Sequence, residues 1–340
     1  MDKHALKVFS MAIIGIQSLV YGVEDVAECT RFFVDFGLPL VSGDAQESLF
    51  RLDDGSEVRI RLLADKRLPE CALVGPGVWE VILGVDTHEA LEALVKDLGR
   101  DRRVVSDADG VAHFLSDCGL PLALSVFRKK AVVNAPDPLN APGVVQRLNT
   151  HRKWRTRARP KTIQHVVFAV KDFRASFEFF RDRLNFRLSD YQHGFGIYSR
   201  AEGSNSHHNL FLLNASLPFP EMDGQPRFHH ANFGVEDIDE VMVGANYMER
   251  KGWPKSHLGL GRHRIDSALF LYLPCPAGGE AEYGADGDFI DDNWVAREWP
   301  VPLFAFAHFV HNLPAWLLDP PAWEIGYLVT GELPDDKHSH

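Results

Sequence analysis

Residues 227–253 read RFHHANFGVEDIDEVMVGANYMERKGW and residues 261–284 read GRHRIDSALFLYLPCPAGGEAEYG. The first stretch opens as an apolar run, turns at Glu236–Asp237, and then sets Val241 and Ala245 four residues apart on one helical face. The second returns to strand-like alternation. The same order occurs three times upstream, in IGIQSLVYGVEDVAECTRFFVDFGLPLV from Ile14, VWEVILGVDTHEALEALVKDLG from Val78, and IQHVVFAVKDFRASFEFFRDRLNFRL from Ile163. In each copy an aspartate (Asp25, Asp86, Asp172, Asp237) falls where a helix begins, as a cap or as a first-turn acid against the helix dipole. Phe177 and Phe180 likewise share a helix face. Alternating stretches follow every helix: SLFRLDDGSEVRIRLLA, GVAHFLSDCGLPLALSVF, FGIYSRAEGSNSHHNLFLLN and HRIDSALFLYLPCPAGGEAEYG. Each unit is therefore βαβββ, and the expectation is an α+β protein of four repeats.

Four repeats predict two domains of two repeats each. The boundaries expected are 1–133 for an N-terminal domain, 134–160 for a linker rich in Pro, Asn and Arg, and 161–284 for a C-terminal domain. An extension over 285–340 holds four of the seven tryptophans and several prolines. It is too apolar to be disordered, so it should pack on the second domain, on a neighbouring subunit, or over a site. That apolarity also predicts a homo-oligomer. The final DDKHSH is expected to fray.

Composition narrows the function. Of 340 residues, 45% are hydrophobic and 24% charged, which suits a globular chain large enough for two domains. A net charge of −11 with no basic stripe excludes a general nucleic-acid binder, and HRKWRTRARPK (His151 to Lys161) reads as a solvated linker. The four cysteines, Cys29, Cys71, Cys118 and Cys275, form no CxxC pair and fit small buried apolar residues of a cytoplasmic protein. Val8–Val23 is uncharged and follows Lys3 and Lys7, imitating a signal peptide. It is too short for a confident membrane span, and its second half recurs later as a repeat strand, so it reads as fold with no membrane partner.

The repeats also locate chemistry. Five residues before Val23, Val85, Val170 and Val235 stand Ser18, Glu80, His165 and His230. One strand histidine is more often structural than a ligand. Two at the same repeat position, with a strand carboxylate amid apolar residues in GGEAEYG, match the donors of a divalent iron or manganese site with open positions. The first two repeats lack the pair, so one metal site per chain is expected, in the second domain. Glu280 and Glu282 face the same side under strict alternation, and pattern alone leaves both open. A buried carboxylate is costly unless it is paired or holds a metal. His229 is expected on the strand face opposite His230, as a structural or supporting residue. His193, His257, His308 and His311 read as solvated loop histidines, with an approach to the pocket or a place at an interface as the alternatives.

These residues carry a resemblance. His165, the HH pair ending in His230, GRHRIDSALFLY with His263 and Tyr272, and EAEYG with Glu282 make the second domain similar to the catalytic domain of type I extradiol catechol dioxygenases, within the vicinal oxygen chelate superfamily. The resemblance implies His165, His230 and Glu282 as ligands of Fe(II), with Mn(II) as the alternative. It implies an acid/base histidine in SHHNLFLL, at His208 with His207 as the alternative, and it places His263 and Tyr272 beside the open side of the metal. The activity implied is meta cleavage of a catecholic substrate by O2, in aromatic-compound catabolism. Two other readings belong to the same fold: a glyoxalase-like metal-dependent isomerase or lyase, and a ligand-sequestering protein without a metal triad. The two histidines and Glu282 weigh against the second.

Overall fold

The structure, a computed structural model, describes residues 12–219, 222–300, 305–317 and 325–334. Val8–Met11, Trp323 and the terminal DDKHSH lie outside the described residues. The first repeat is β1 (Ile13–Val23), α1 (Val26–Phe36), β2 (Leu40–Gly43), β3 (Glu47–Arg51) and β4 (Glu57–Leu62). The second is β5 (Gly77–Val85), α2 (His88–Leu98), β6 (Val105–Ser106), β7 (Ala112–Leu115) and β8 (Pro121–Val126). The third is β9 (Thr162–Val170), α3 (Phe173–Leu184), β10 (Arg187–Gln192), β11 (Gly196–Arg200) and β12 (Leu210–Asn214). The fourth is β13 (Arg227–Gly234), α4 (Ile238–Arg250), β14 (Gly261–Arg262), β15 (Leu269–Pro274) and β16 (Glu280–Ala285). The extension adds β17 (Arg297–Trp299), β18 (Phe309–Val310) and β19 (Gly326–Tyr327). The four βαβββ repeats are thus present in order.

Local chemistry sets the helix starts. Asp25, Asp172 and Asp237 each accept a backbone N–H of the first turn as N-caps. In the second repeat the cap is Thr87, which accepts from the Ala90 N–H, and Asp86 stands one residue earlier. A hydroxyl serves the orphan donor as a carboxylate does, so the aspartate in that repeat is not the cap.

Two sheets result, one per pair of repeats, ordered β2-β3-β4-β1-β5-β8-β7-β6 and β18-β14-β15-β16-β13-β9-β12-β11-β10-β17-β19. At the centre of each, the opening strands of both repeats pair antiparallel, β1 with β5 and β9 with β13. Each opening strand also pairs parallel with the last strand of its own repeat. Each sheet is therefore pseudo-symmetric about its central pair, and matching repeat positions near the axis, such as His165 and His230 flanking the Val166–Ala231 pair, become neighbours.

The two sheets share one core. Phe32, Phe33 and Phe36 of α1 meet Trp253 and Phe233, and the Tyr283 ring stacks on Phe36 at 4.0 Å while its hydroxyl donates to the Phe36 carbonyl. Aromatic burial of this kind dominates core energetics and ties the halves together. On the other face of the second sheet, Val167, Tyr198, Phe211 and Leu213 form a separate apolar cluster. The extension packs on this sheet, with β17 parallel to β10 and β18 antiparallel to β14. Among the described residues no helix is long and apolar enough to cross a membrane. All four cysteines are free. Burial pushes the Cys29 thiol up to about 12 and raises that of Cys275.

Candidate metal centre

His165 and His230 leave β9 and β13 at matching positions across the pseudo-symmetric pair, and Glu282 rises from β16 beside them. The Nε2 atoms of the two histidines are 3.3 Å apart, and Glu282 Oε2 lies 3.3 Å from His165 Nε2 and 3.4 Å from His230 Nε2. All three side chains are buried, Glu282 completely. Although imidazole nitrogens stand that close, neither Glu282 oxygen receives a well-aligned hydrogen bond. An unpartnered ionised carboxylate in such a place would be strongly unfavourable. Three donors this close could instead share one cation, and the imidazole and carboxylate set suits divalent iron or manganese. The residues fit such an ion.

Depth separates the two glutamates. Glu282 is in register with Asn232 and with Tyr272. Glu280 pairs one step outward, against Pro274, and its carboxylate is 3.5 Å from His257 Nδ1 at the cavity mouth.

Burial alone would raise the Glu282 carboxyl, but the imidazoles of His165, His263 and His230 outweigh it and hold the group well below the carboxylate range. Burial, reinforced by the neighbouring imidazoles of His165 and His207, drives His208 well below the usual histidine value. Its ring stacks on His165 with centroids 4.1 Å apart. For His263, burial lowers the value and Glu282 with Asp266 more than reverses it. His263 Nδ1 is hydrogen-bonded to the Phe306 carbonyl, and its Nε2 lies 3.2 Å from the Tyr272 hydroxyl and 3.9 Å from Glu282 Oε1. Burial, then the charge of Glu282, raises the Tyr272 phenol well above its ordinary value.

His165, His208, His230, His263 and Tyr272 all line one cavity of about 650 Å³. Its walls are aromatic and aliphatic: Phe195, Phe211, Leu213 and Phe219 from the third repeat, with Phe306 and Trp316 from the extension. Val74, Gly75 and Pro76 of the first half close part of the rim. His229 lines it as well, since a bulge between Phe228 and His230 turns it off the strict alternation, and its Nδ1 sits 2.6 Å from His230 Nδ1. His257 stands at the mouth, while His193 bonds Glu298 at 2.5 Å away from the cavity. Sequence reading did not single out Asp190, Asp266, Phe306, Trp316 or Arg297. Apart from Asp266, which follows His263 by three residues, they come from elements far apart in the chain, and only the tryptophan-rich composition of the extension hinted at them.

Residues 162–267 match the Glyoxalase/Bleomycin resistance protein/Dioxygenase superfamily. Over 295 residues, 86% of this chain and 87% of the relative, the sequence is 33% identical to metapyrocatechase 2 of Cupriavidus necator. It is 35% identical over 147 residues to an iron-dependent extradiol dioxygenase of Rhodococcus jostii, covering 39% of this chain and 46% of that one. The fold is similar to that of BphC, a halotolerant catechol dioxygenase, with a TM-score of 0.68 over 94% of this chain and all of that one, at 19% identity. The chain belongs to the extradiol dioxygenase family within this vicinal oxygen chelate superfamily.

Proposed function

We propose that the protein is an Fe(II)-dependent extradiol dioxygenase, with His165, His230 and Glu282 as the metal ligands. The reaction adds both atoms of O2 to a catechol and breaks the ring carbon–carbon bond next to the paired hydroxyls. The observation that carries this reading is the fully buried Glu282 carboxylate, without a well-aligned hydrogen bond, set against two imidazoles that line an aromatic cavity. Bound divalent iron supplies Lewis acidity and a common anchor for catechol and O2.

The chain's own residues do the rest. His208, kept unprotonated by burial, accepts a proton from a catechol hydroxyl and returns it later. Tyr272, whose phenol stays protonated, donates a hydrogen bond to a ring oxygen, and His263 beside it stabilises negative charge developing on oxygen. The apolar walls exclude water and favour a catechol with an uncharged, apolar substituent. Manganese satisfies the same ligands, so the metal itself is part of the test.

Protein loaded anaerobically with Fe(II), and in parallel with Mn(II), should consume one O2 per catechol and give a yellow ring-opened product. With 18O2 both labels should enter that product. Turnover of substrate without oxygen uptake would overturn the reading and favour a glyoxalase-like isomerase or lyase.

A further inference from the structure

Behind His208 a row of buried polar groups runs away from the cavity and into the extension. His207 Nδ1 lies 3.1 Å from His208 Nδ1, and His207 Nε2 lies 3.2 Å from Asp190 Oδ2. Asp190 is fully buried on β10. It accepts from the Arg297 backbone N–H at 2.7 Å, from the Arg297 guanidinium at 2.6 to 3.2 Å, and from the Trp299 indole at 3.3 Å. Arg297 and Trp299 belong to β17, which the extension lays parallel to β10.

The hydrogen positions follow from what each group can do. An ionised carboxylate only accepts, so His207 Nε2 carries a hydrogen. Two N–H groups do not face each other at 3.1 Å, so a single hydrogen lies between the two Nδ1 atoms. If His207 supplied it, His207 would be a buried cation beside a carboxylate that Arg297 already matches through two nitrogens. If His208 supplies it, no charge is needed. His208 then carries its hydrogen on Nδ1 and leaves Nε2 bare.

We propose that Asp190, His207 and Arg297 form a positioning relay that fixes His208 in the tautomer with hydrogen on Nδ1, aiming an unprotonated Nε2 at the cavity. The catalytic value of that tautomer rests on the ring-cleavage reading; the tautomer itself does not. On this view the extension, in addition to walling the cavity, secures the proton acceptor through Arg297.

The test combines spectroscopy with kinetics. In the full-length chain labelled with 15N-histidine and loaded with diamagnetic Zn(II), His208 should show a protonated Nδ1 and a bare Nε2. His207→Asn keeps an acceptor oxygen near the former Nδ1 but loses the Asp190 contact, and should retain the tautomer with a kcat between those of the wild type and His207→Leu. His207→Leu removes the near acceptor, leaving only Asp266 Oδ2 at 3.8 Å from His208 Nδ1, and should mix the tautomers and lower kcat about 10–100-fold with KM little changed, the size seen when a supporting group behind a metal site is lost. A wild-type His208 protonated on Nε2, or a His207→Leu protein with unchanged tautomer and kcat, overturns the relay. If His207→Leu does not fold, the wild-type spectrum alone decides. Should no catechol be cleaved, the spectrum still tests the relay while the oxygen assay fails the broader reading.

Discussion

Glu80 and His230 hold the same place in their two sheets, Glu80 paired with Val20 of the first repeat and His230 with Val167 of the third. Their surroundings differ. Glu80 is hydrogen-bonded at 2.7 Å to His113, and in the first sheet Ala123 takes the place in the β7–β8 ladder, opposite His113, that Glu282 takes opposite Tyr272. Val20, Leu68, Ile82 and Ala123 fill the remaining space. The first sheet thus keeps the geometry of a site while its donors pair with each other.

That pair gives a pH-dependent contribution to stability. The hydrogen bond to Glu80, opposed by partial burial, raises His113 above the ordinary histidine value. A raised value in the folded state means the stabilisation is complete below the unfolded value of about 6.5 and fades as pH climbs through the folded one. His113→Ala should therefore lower the denaturation midpoint more at pH 6 than at pH 9. Urea titrations at both values check the sign; an equal loss at both would refute it.

The two glutamates should separate cleanly. Glu282→Ala should abolish stoichiometric metal content and turnover together. Glu280→Ala should retain the metal, because its carboxylate lies at the rim beside His257. Elemental analysis after dialysis decides, and metal loss in the second variant alone would reverse the assignment.

Replacing His208 with alanine should leave metal content intact while kcat drops about 10²–10⁴-fold, the range for a lost general acid/base. Metal loss in that variant would show that His208 is a ligand.

Trp316 tests the extension as a specificity wall. Trp316→Ala should raise KM for a catechol with a bulky apolar substituent by about tenfold, given the 1–3 kcal/mol typical of one apolar pocket contact, and change KM for unsubstituted catechol little. Equal shifts for both substrates would instead mark a general loss of folding.

Gly37 tests the junction between the first repeat and the linker. It ends α1 at φ +113°, and a Cβ there would lie 2.3 Å from the Ala158 carbonyl oxygen. Gly37→Ala should cost about 2 kcal/mol or more of stability, measured by chemical denaturation.

The sequence made the repeat legible because its signals are local: an alternating strand, an acidic cap and an amphipathic helix recur together. The same recurrence singled out His165 and His230, which become neighbours because both lie one residue from the axis of the pseudo-symmetric strand pair. Glu282 was not separable from Glu280 by alternation, because both face the same way and differ only in depth, set by where β16 begins against β13. The Asp190–Arg297 pairing and the aromatic wall of Phe306 and Trp316 had no local signature. They arise where β17 joins β10 and where the extension crosses the cavity, contacts spanning up to more than a hundred residues of chain. His229 escaped its expected face through a bulge, which no alternating pattern announces.

Gly278 sits where a Cβ would come within 2.1 Å of the Pro76 carbonyl oxygen, so the two halves of the chain meet there backbone to backbone. That edge of the entrance is a rigid sill. At Gly278 there is no side chain to trim, whereas the edge formed by Phe306 and Trp316 is built from replaceable rings. On the ring-cleavage reading, substrate range changes at the ring-lined edge, while the backbone of the first half serves as a doorpost.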